Sequence, residues 1–157
     1  MKKILLVKII LLIIFLFAQV TFINAQGIYI TKLHNLEFGE VFIGYSAEVQ
    51  HTDVNAAKFS FYHTRWYSRN VFIQFVLPAT LDNGVHQIPI TFDHSHTAAS
   101  YNDQIGGRVN FDPRSTVYIR RLRYYETVYL WLGGTITTSP AMHYGTYTGT
   151  IILNIYY

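Results

Sequence analysis

Cysteine is absent from this 157-residue chain, and charged residues make up only 13% of it. Without cysteine the chain has no disulfide, no thiol nucleophile and no cysteine-ligated metal centre, so its stability must come from burial and backbone hydrogen bonds. Hydrolase and phosphate-binding signatures are also missing, since neither a Gly-x-Ser-x-Gly elbow nor a glycine loop followed by Lys and Ser/Thr occurs. We therefore expect a non-enzymatic protein with no catalytic residues and no cofactor.

Residues 1–25 have the features of a secretory signal peptide. Three lysines among the first eight residues precede an apolar run over residues 9–17, and Ala25 offers a small side chain for cleavage. An uncleaved membrane anchor is the alternative, but the dense apolar run is shorter than the roughly 20 residues that a spanning helix needs. The sequence therefore predicts an exported protein, with a single mature domain at residues 26–157 and no stable membrane span after cleavage. Its destination, whether periplasm, cell surface or medium, stays open.

The mature domain is expected to carry no net charge. Cleavage would remove three of the 12 Lys and Arg residues and none of the nine Asp and Glu residues. The basic excess of the whole chain thus lies in the signal peptide, so the sequence predicts no nucleic-acid partner.

Aromatic residues make up 17% of the chain, and most of them are Tyr and Phe, which favour strands. Short alternating apolar runs recur between turn residues, which is typical of strands and not of helices. The predicted strands cover residues 28–33, 36–43, 49–52 (weakly), 58–63, 70–77, 85–92, 116–122, 127–132 and 147–157. Residues 93–108 are predicted to form the longest loop, and Pro89 places its strand at an edge or a bulge. About eight short strands predict an all-β fold, an immunoglobulin-like antiparallel β-sandwich, with a barrel as the alternative.

The densest group of potential metal ligands is Asp93, His94 and His96. In an extended stretch the two imidazoles would share a face, and with the carboxylate they could hold zinc or copper. A complete site needs a third or fourth protein ligand, and the sequence does not supply its position. The alternative is a solvated loop with two histidines, so we predict no metal site and keep these three residues as candidates.

A basic and aromatic patch is formed by Arg120, Arg121, Arg123, Tyr124 and Tyr125. Such a patch could bind a glycan, an anionic surface or nucleic acid, whereas the favoured alternative is an exposed hairpin that its arginines keep soluble. Trp66 and Trp131 could stack on sugars in the same way, although core packing is the commoner role of tryptophan.

The C-terminal part of the sequence carries the most specific motifs. A Gly-Gly-Thr strand start stands at residues 133–135, and a Gly-x-Tyr-x-Gly sequence at residues 145–149 is followed by an alternating run that ends in Tyr156 and Tyr157. A Leu-x-Phe-Gly sequence stands at residues 36–39. These motifs resemble a family of short exported bacterial β-domains, catalogued as domain-of-unknown-function family 4402. Similar endings occur in spore-coat-U-like secreted domains and in chaperone–usher pilin subunits.

The resemblance implies an immunoglobulin-like sandwich with a structural role in fibres or surface layers, and no catalytic residues. We therefore expect a surface or fimbria-related protein that assembles with itself or with other envelope or pilus subunits by strand addition. Residues 26–33 alternate through Ile28 and Ile30 and are the candidate donor, unless they form the first strand of a closed domain. The alternative function is an extracellular ligand- or glycan-binding module that uses loop aromatics and arginines.

Overall fold

The computed structural model describes residues 27–157, so the predicted signal peptide and Gln26 lie outside the described residues. The described part contains twelve strands and one turn of 3-10 helix, His94–His96, between the sixth and seventh strands. No helix in this part has the length and apolar character needed to cross a membrane. The strands are β1 (Ile28–His34), β2 (Ser46–Val49), β3 (Ala57–His63), β4 (Arg69–Val76), β5 (Thr80–Asp82), β6 (Gln87–Thr91), β7 (Thr97–Ser100), β8 (Val109–Asn110), β9 (Val117–Leu122), β10 (Val128–Leu132), β11 (Gly134–Thr137) and β12 (Ile152–Tyr156).

The strands form three sheets, and every pair in them is antiparallel. The first sheet has the order β1-β3-β10-β7-β8, the second β2-β11-β6-β5 and the third β12-β4-β9. Side chains of all three sheets meet in one core, such as Phe61 of the first, Ile90 of the second and Ile73 of the third. Phe59 and Phe75 contact each other between the first and third sheets, with ring centroids 6.2 Å apart. The prediction of an all-β antiparallel sandwich is confirmed.

Alternation along the sequence explains the inner strands. In β3, Phe59 and Phe61 are buried, while the residues between them are only partly buried. In β4, Val71, Ile73 and Phe75 are buried in the same alternating way. Burying each of these side chains contributes about 1.5–3 kcal/mol relative to leaving it in water. The period of two therefore fixes which face of each strand points into the core.

The weak strand predicted at residues 49–52 overlaps β2 only at Val49. Two further predicted strands are wrong in whole or in part. Residues 36–43 form no strand: Leu36 and Phe38 pack against the core, but none of the twelve strands pairs with this segment. The predicted strand at residues 147–157 is a strand only over Ile152–Tyr156. The alternation in both segments indicated which side chains point inward, and it carried no information on whether a backbone partner is present.

The expected number of about eight strands is too low. β5, β7, β8 and β11 are absent from the predicted strands because they are two to four residues long, which is too short to show a period. β7 lies within the predicted loop 93–108. The prediction of an edge position for Pro89 is also wrong, since β6 lies between β11 and β5. Pairing of β6 with β11 is confined to Ile90 and Thr91, so the missing N–H of proline breaks no pair in that ladder.

The chain passes from the first sheet to the second at Gly133, between β10 and β11. The Gly133 N–H donates to the carbonyl of His96 at 2.8 Å. A Cβ at Gly133 would overlap the carbonyl oxygen of Val49, the last residue of β2. Glycine is therefore required here because the backbone of β2 lies directly against it.

Candidate functional site

A large cavity opens between two segments that lie outside the strands. Its volume is about 1070 Å³. One wall is residues 35–43, which contain the segment that the sequence predicted as a strand, and the other is residues 142–151, which lead into β12. The floor consists of apolar core side chains, among them Phe59, Ile90 and Ile136. The cavity is thus an opening into the core of the sandwich and not a depression in its surface.

Few backbone hydrogen bonds hold the two walls. In the first wall, the Glu37 N–H donates to the carbonyl of Asn55 at 3.0 Å. In the second, Thr148 exchanges two hydrogen bonds with Asp82, of 2.8 and 2.9 Å. Within residues 27–157 no strand pairing joins one wall to the other. Both walls therefore keep most of their backbone N–H and C=O groups outside any β-ladder.

The rim of the cavity is polar. His143 of the second wall stacks on His86 of the β5–β6 turn, with ring centroids 4.2 Å apart and planes 8° from parallel. Glu37 and Glu40 lie on the first wall and are exposed, and neither forms an ion pair with another residue of the described chain. The mouth of the cavity therefore presents carboxylates that form no ion pair, with Lys32 and His34 of β1 also on the lining, beside an apolar floor.

Two strands near the cavity have an unpaired edge. β12 pairs only with β4, so the second wall continues directly into a free strand edge. β1 lies at the edge of the first sheet, and six of its seven residues are exposed. Tyr29 and Ile30 are 54% and 46% exposed. An exposed strand edge is a template for pairing with another chain.

β1 is held more by its backbone than by its side chains. It forms a ladder with β3, and Tyr29 stacks on Tyr62 with ring centroids 5.3 Å apart. At its start, the Gly27 N–H donates to the hydroxyl oxygen of Tyr157 at 3.2 Å. Because β1 buries little apolar surface, its attachment can be exchanged for an equivalent ladder at small cost.

The candidate metal ligands do not converge. His94 is exposed and His96 is buried, and both lie in a helical turn and not in an extended stretch, so they share no face. His96 Nε2 lies 3.0 Å from Glu48 Oε1, while its Nδ1 lies 2.8 Å from Asp93 Oδ1 at an angle that is not that of a hydrogen bond. The two carboxylates thus stand at opposite nitrogens of one ring. In residues 27–157 no group of three or more His, Asp or Glu is placed to hold a metal ion.

Asp93 instead stabilises the helical turn. Its carboxylate accepts hydrogen bonds from the Ser95 hydroxyl at 2.6 Å and from the Ser95 N–H at 2.8 Å. The bond from the Ser95 hydroxyl is the main cause that lowers the pKa of Asp93 below its ordinary value. This is an N-cap contact, which satisfies a backbone donor at the start of the turn.

The two tryptophans have opposite environments. Trp131 is 3% exposed, and the Arg108 guanidinium lies 3.7 Å from its ring centroid. Trp66 is 84% exposed, in the connection between β3 and β4. Trp131 is therefore buried beneath a guanidinium group and outside the cluster of core side chains, whereas Trp66 is exposed.

Sequence reasoning did not predict the cavity, although its signal was present. The strand-like alternation at residues 36–43 and 147–151 belongs to two segments that lie outside the sheets, apart from the bridge between Thr148 and Asp82. Comparison with known proteins adds nothing to the geometry: no family model matches this sequence, and no curated protein or solved structure is similar to it.

Proposed function

We propose that this protein is an exported structural subunit of a surface or fimbria-like assembly, and that its copies join by strand addition. The observation that carries the proposal is the cavity between residues 35–43 and 142–151. Residues 36–43 and 147–151 of these walls have the sequence pattern of strands, and the bridge between Thr148 and Asp82 is the one strand pairing that either wall makes within residues 27–157. An extended segment inserted between them would give each wall a ladder partner and would cover the apolar floor.

The occupant that fits is β1 of another copy. Its sequence alternates, with Ile28 and Ile30 on one face, as a strand over an apolar floor requires. β1 also carries Lys32 and no acidic residue, so a donated β1 would bring a positive charge to a cavity that Glu37 and Glu40 line, as Lys32 of the chain's own β1 does. The resemblance to pilin-like endings supports the same arrangement.

The favourable free energy of such an exchange comes from the burial of apolar side chains. Moving β1 from β3 into a cavity replaces one ladder of backbone hydrogen bonds by another. Ile30 is 46% exposed in the free protein. Completing its burial would contribute roughly 1 kcal/mol, because full burial of such a side chain contributes about 1.5–3 kcal/mol. Covering the floor of the cavity adds to this gain.

The absence of cysteine allows a clean test with an introduced disulfide. Thr31 and Ser60 stand opposite each other in the β1–β3 ladder. Directly opposed residues of an antiparallel pair have Cα atoms about 4.5–5.5 Å apart, which is within the range that a disulfide bridges. In oxidised T31C/S60C protein, β1 is tied to its own β3 and cannot be donated.

We expect purified mature protein to give a ladder of oligomers on an unheated detergent gel, and a single band after boiling. Oxidised T31C/S60C protein should remain monomeric, and reductant should restore the ladder, while the single variant T31C in reductant should behave as wild type. A wild type that stays monomeric, or a ladder that forms equally in the oxidised double variant, would show that β1 exchange is not the assembly mechanism.

A further inference from the structure

A second hollow, on the outside of the sandwich, is surrounded by arginines. It has a volume of about 540 Å³ and is lined by Ser68, Tyr101, Arg120, Arg121, Arg123 and Glu126. The three arginines are exposed. Their guanidinium groups form no ion pair and no hydrogen bond with any other residue of the described chain. Three cations therefore meet at one place, and Glu126, the one carboxylate of the lining, offsets their charge only in part.

A β-bulge brings two of the arginines to the same side. The pairing of β4 with β9 shifts so that Arg120 and Arg121 both stand opposite Asn70. Arg121 has a φ of 55°, and its N–H donates to the Asn70 side-chain oxygen at 3.1 Å. Without the bulge, one of two consecutive residues would point into the core. With it, both are exposed between buried Ile119 and buried Leu122.

The turn after the bulge is held from below by a buried histidine. His63 is fully buried, its Nε2 lies 2.8 Å from the carbonyl oxygen of Leu122, and its own carbonyl accepts from the Tyr125 N–H at 3.0 Å. The Arg123 N–H donates to the carboxylate of Glu126 at 2.9 Å. The backbone that carries the arginines is therefore fixed before any ligand arrives, which lowers the entropy cost of binding.

The left-handed backbone at Arg121 and the clustering of three arginines both cost stability. A left-handed φ is unfavourable for a residue with a side chain, and like charges in proximity repel each other. Strained backbone in an otherwise regular strand occurs often at ligand sites. Guanidinium groups match the oxygens of carboxylate and sulfate groups with paired hydrogen bonds, so an oxyanion would relieve the repulsion.

We propose that this arginine hollow binds the carboxylate or sulfate groups of an acidic saccharide. Its volume is that of a small-ligand site, and the hydroxyls of Ser68 and Tyr101 can contact sugar hydroxyls. Trp66 lies two residues before Ser68 with an exposed ring, and aromatic rings of this kind stack on sugars. A nucleic acid fits less well, because the basic charge is confined to one hollow and does not form a track along the surface.

The test is a titration of the mature protein, followed by its tryptophan fluorescence and by calorimetry. The ligands are a sulfated tetrasaccharide from heparin, a tetramer of galacturonate, neutral cellotetraose and a single-stranded oligonucleotide of matched charge. We expect the two acidic tetrasaccharides to bind and cellotetraose not to bind. R120Q and R123Q should each weaken binding about tenfold, which is what a hydrogen bond to a charged group contributes. R114Q is the matched control, since Arg114 is exposed and outside the hollow.

The variant Arg121→Gly distinguishes an effect on ligand binding from an effect on the stability of the fold. Glycine accepts the left-handed φ, so R121G should melt at the wild-type temperature or above while it binds the acidic tetrasaccharides more weakly. The proposal is wrong if the oligonucleotide binds as tightly as the tetrasaccharides, if R114Q weakens binding as much as R120Q, or if R121G binds as wild type. Each of these results is independent of strand exchange, because β1 does not line the hollow.

Discussion

Alanine at Gly133 should displace β2 and destabilise the whole sandwich. A Cβ at this position would lie 2.8 Å from the Val49 carbonyl carbon and 3.1 Å from the Gln50 carbonyl carbon, and it would overlap the Val49 oxygen. Ordinary contact begins at 3.4 Å. Val49 is 5% exposed and ends the ladder between β2 and β11. The obstacle is therefore a buried backbone, which cannot rotate away as a flexible side chain can.

The expected loss is about 3 kcal/mol, the upper end of the range for overpacking. Set against a total stability of about 5–15 kcal/mol, this loss lowers the melting temperature by roughly 10 °C. Gly134→Ala is a graded comparison, because its Cβ would lie 3.0 Å from the Thr91 oxygen, and we expect a loss of about 1 kcal/mol. Gly106→Ala is the matched control, because nothing lies within 4 Å of its Cβ.

Urea denaturation of the three variants, followed by circular dichroism, measures these losses directly. The expected order of stability is Gly106→Ala, then Gly134→Ala, then Gly133→Ala. If Gly133→Ala unfolds within about 0.5 kcal/mol of the wild type, β2 does not approach this residue as described. The explanation of the Gly-Gly-Thr motif by close backbone approach would then be refuted.

Two other perturbations test the interior and the helical turn. His63→Ala should lower the free energy of unfolding, measured by urea denaturation, by roughly 2–4 kcal/mol. The change leaves a cavity at a buried site and removes the hydrogen-bond partner of the Leu122 carbonyl and of the Arg65 N–H. A loss below about 1 kcal/mol would contradict this. The pKa of Asp93 in the folded protein is lowered from 3.8, mainly by the hydrogen bond from the Ser95 hydroxyl. The ionised carboxylate therefore stabilises the fold fully above pH 3.8, and this stabilisation is lost as the pH falls from 3.8 through the lower pKa of the folded state. Asp93→Asn should therefore flatten the fall in stability in that window, and an unchanged acid profile would count against the contact.

Alternation in the sequence was sufficient to predict the strands that form the core. β3, β4, β9 and β10 lie close to their predicted positions, because a period of two reports the face that is buried. The same signal failed at residues 36–43, where side chains pack inward but the backbone has no partner. Hydrogen-bond partners of a strand are remote in sequence, so a local pattern cannot reveal that one of them is missing.

The arginine hollow was likewise predictable from the sequence only in part. The sequence displays Arg120, Arg121 and Arg123 as a cluster, and alternation would send one of the first two inward. The bulge opposite Asn70 reverses that expectation, and it depends on pairing between two distant strands. The shared face considered for His94 and His96 is absent for a related reason, since it assumes an extended backbone and the chain forms a helical turn there.

In a chain that is exported as proposed, the hydrogen bond between Gly27 and the Tyr157 hydroxyl has a consequence for the order in which contacts form. It joins residues 130 positions apart, so in a chain that is exported from its N-terminus it is among the last contacts to form. Until Tyr157 emerges, the start of β1 is held through β3 and through Thr64, whose N–H donates to the Gly27 carbonyl at 2.8 Å. An exported chain thus has an interval in which its first strand lacks one of its contacts and is more easily captured by a neighbour that is already folded. Assembly that couples to export would use this interval, whereas assembly from finished monomers would first have to break the Gly27–Tyr157 bond.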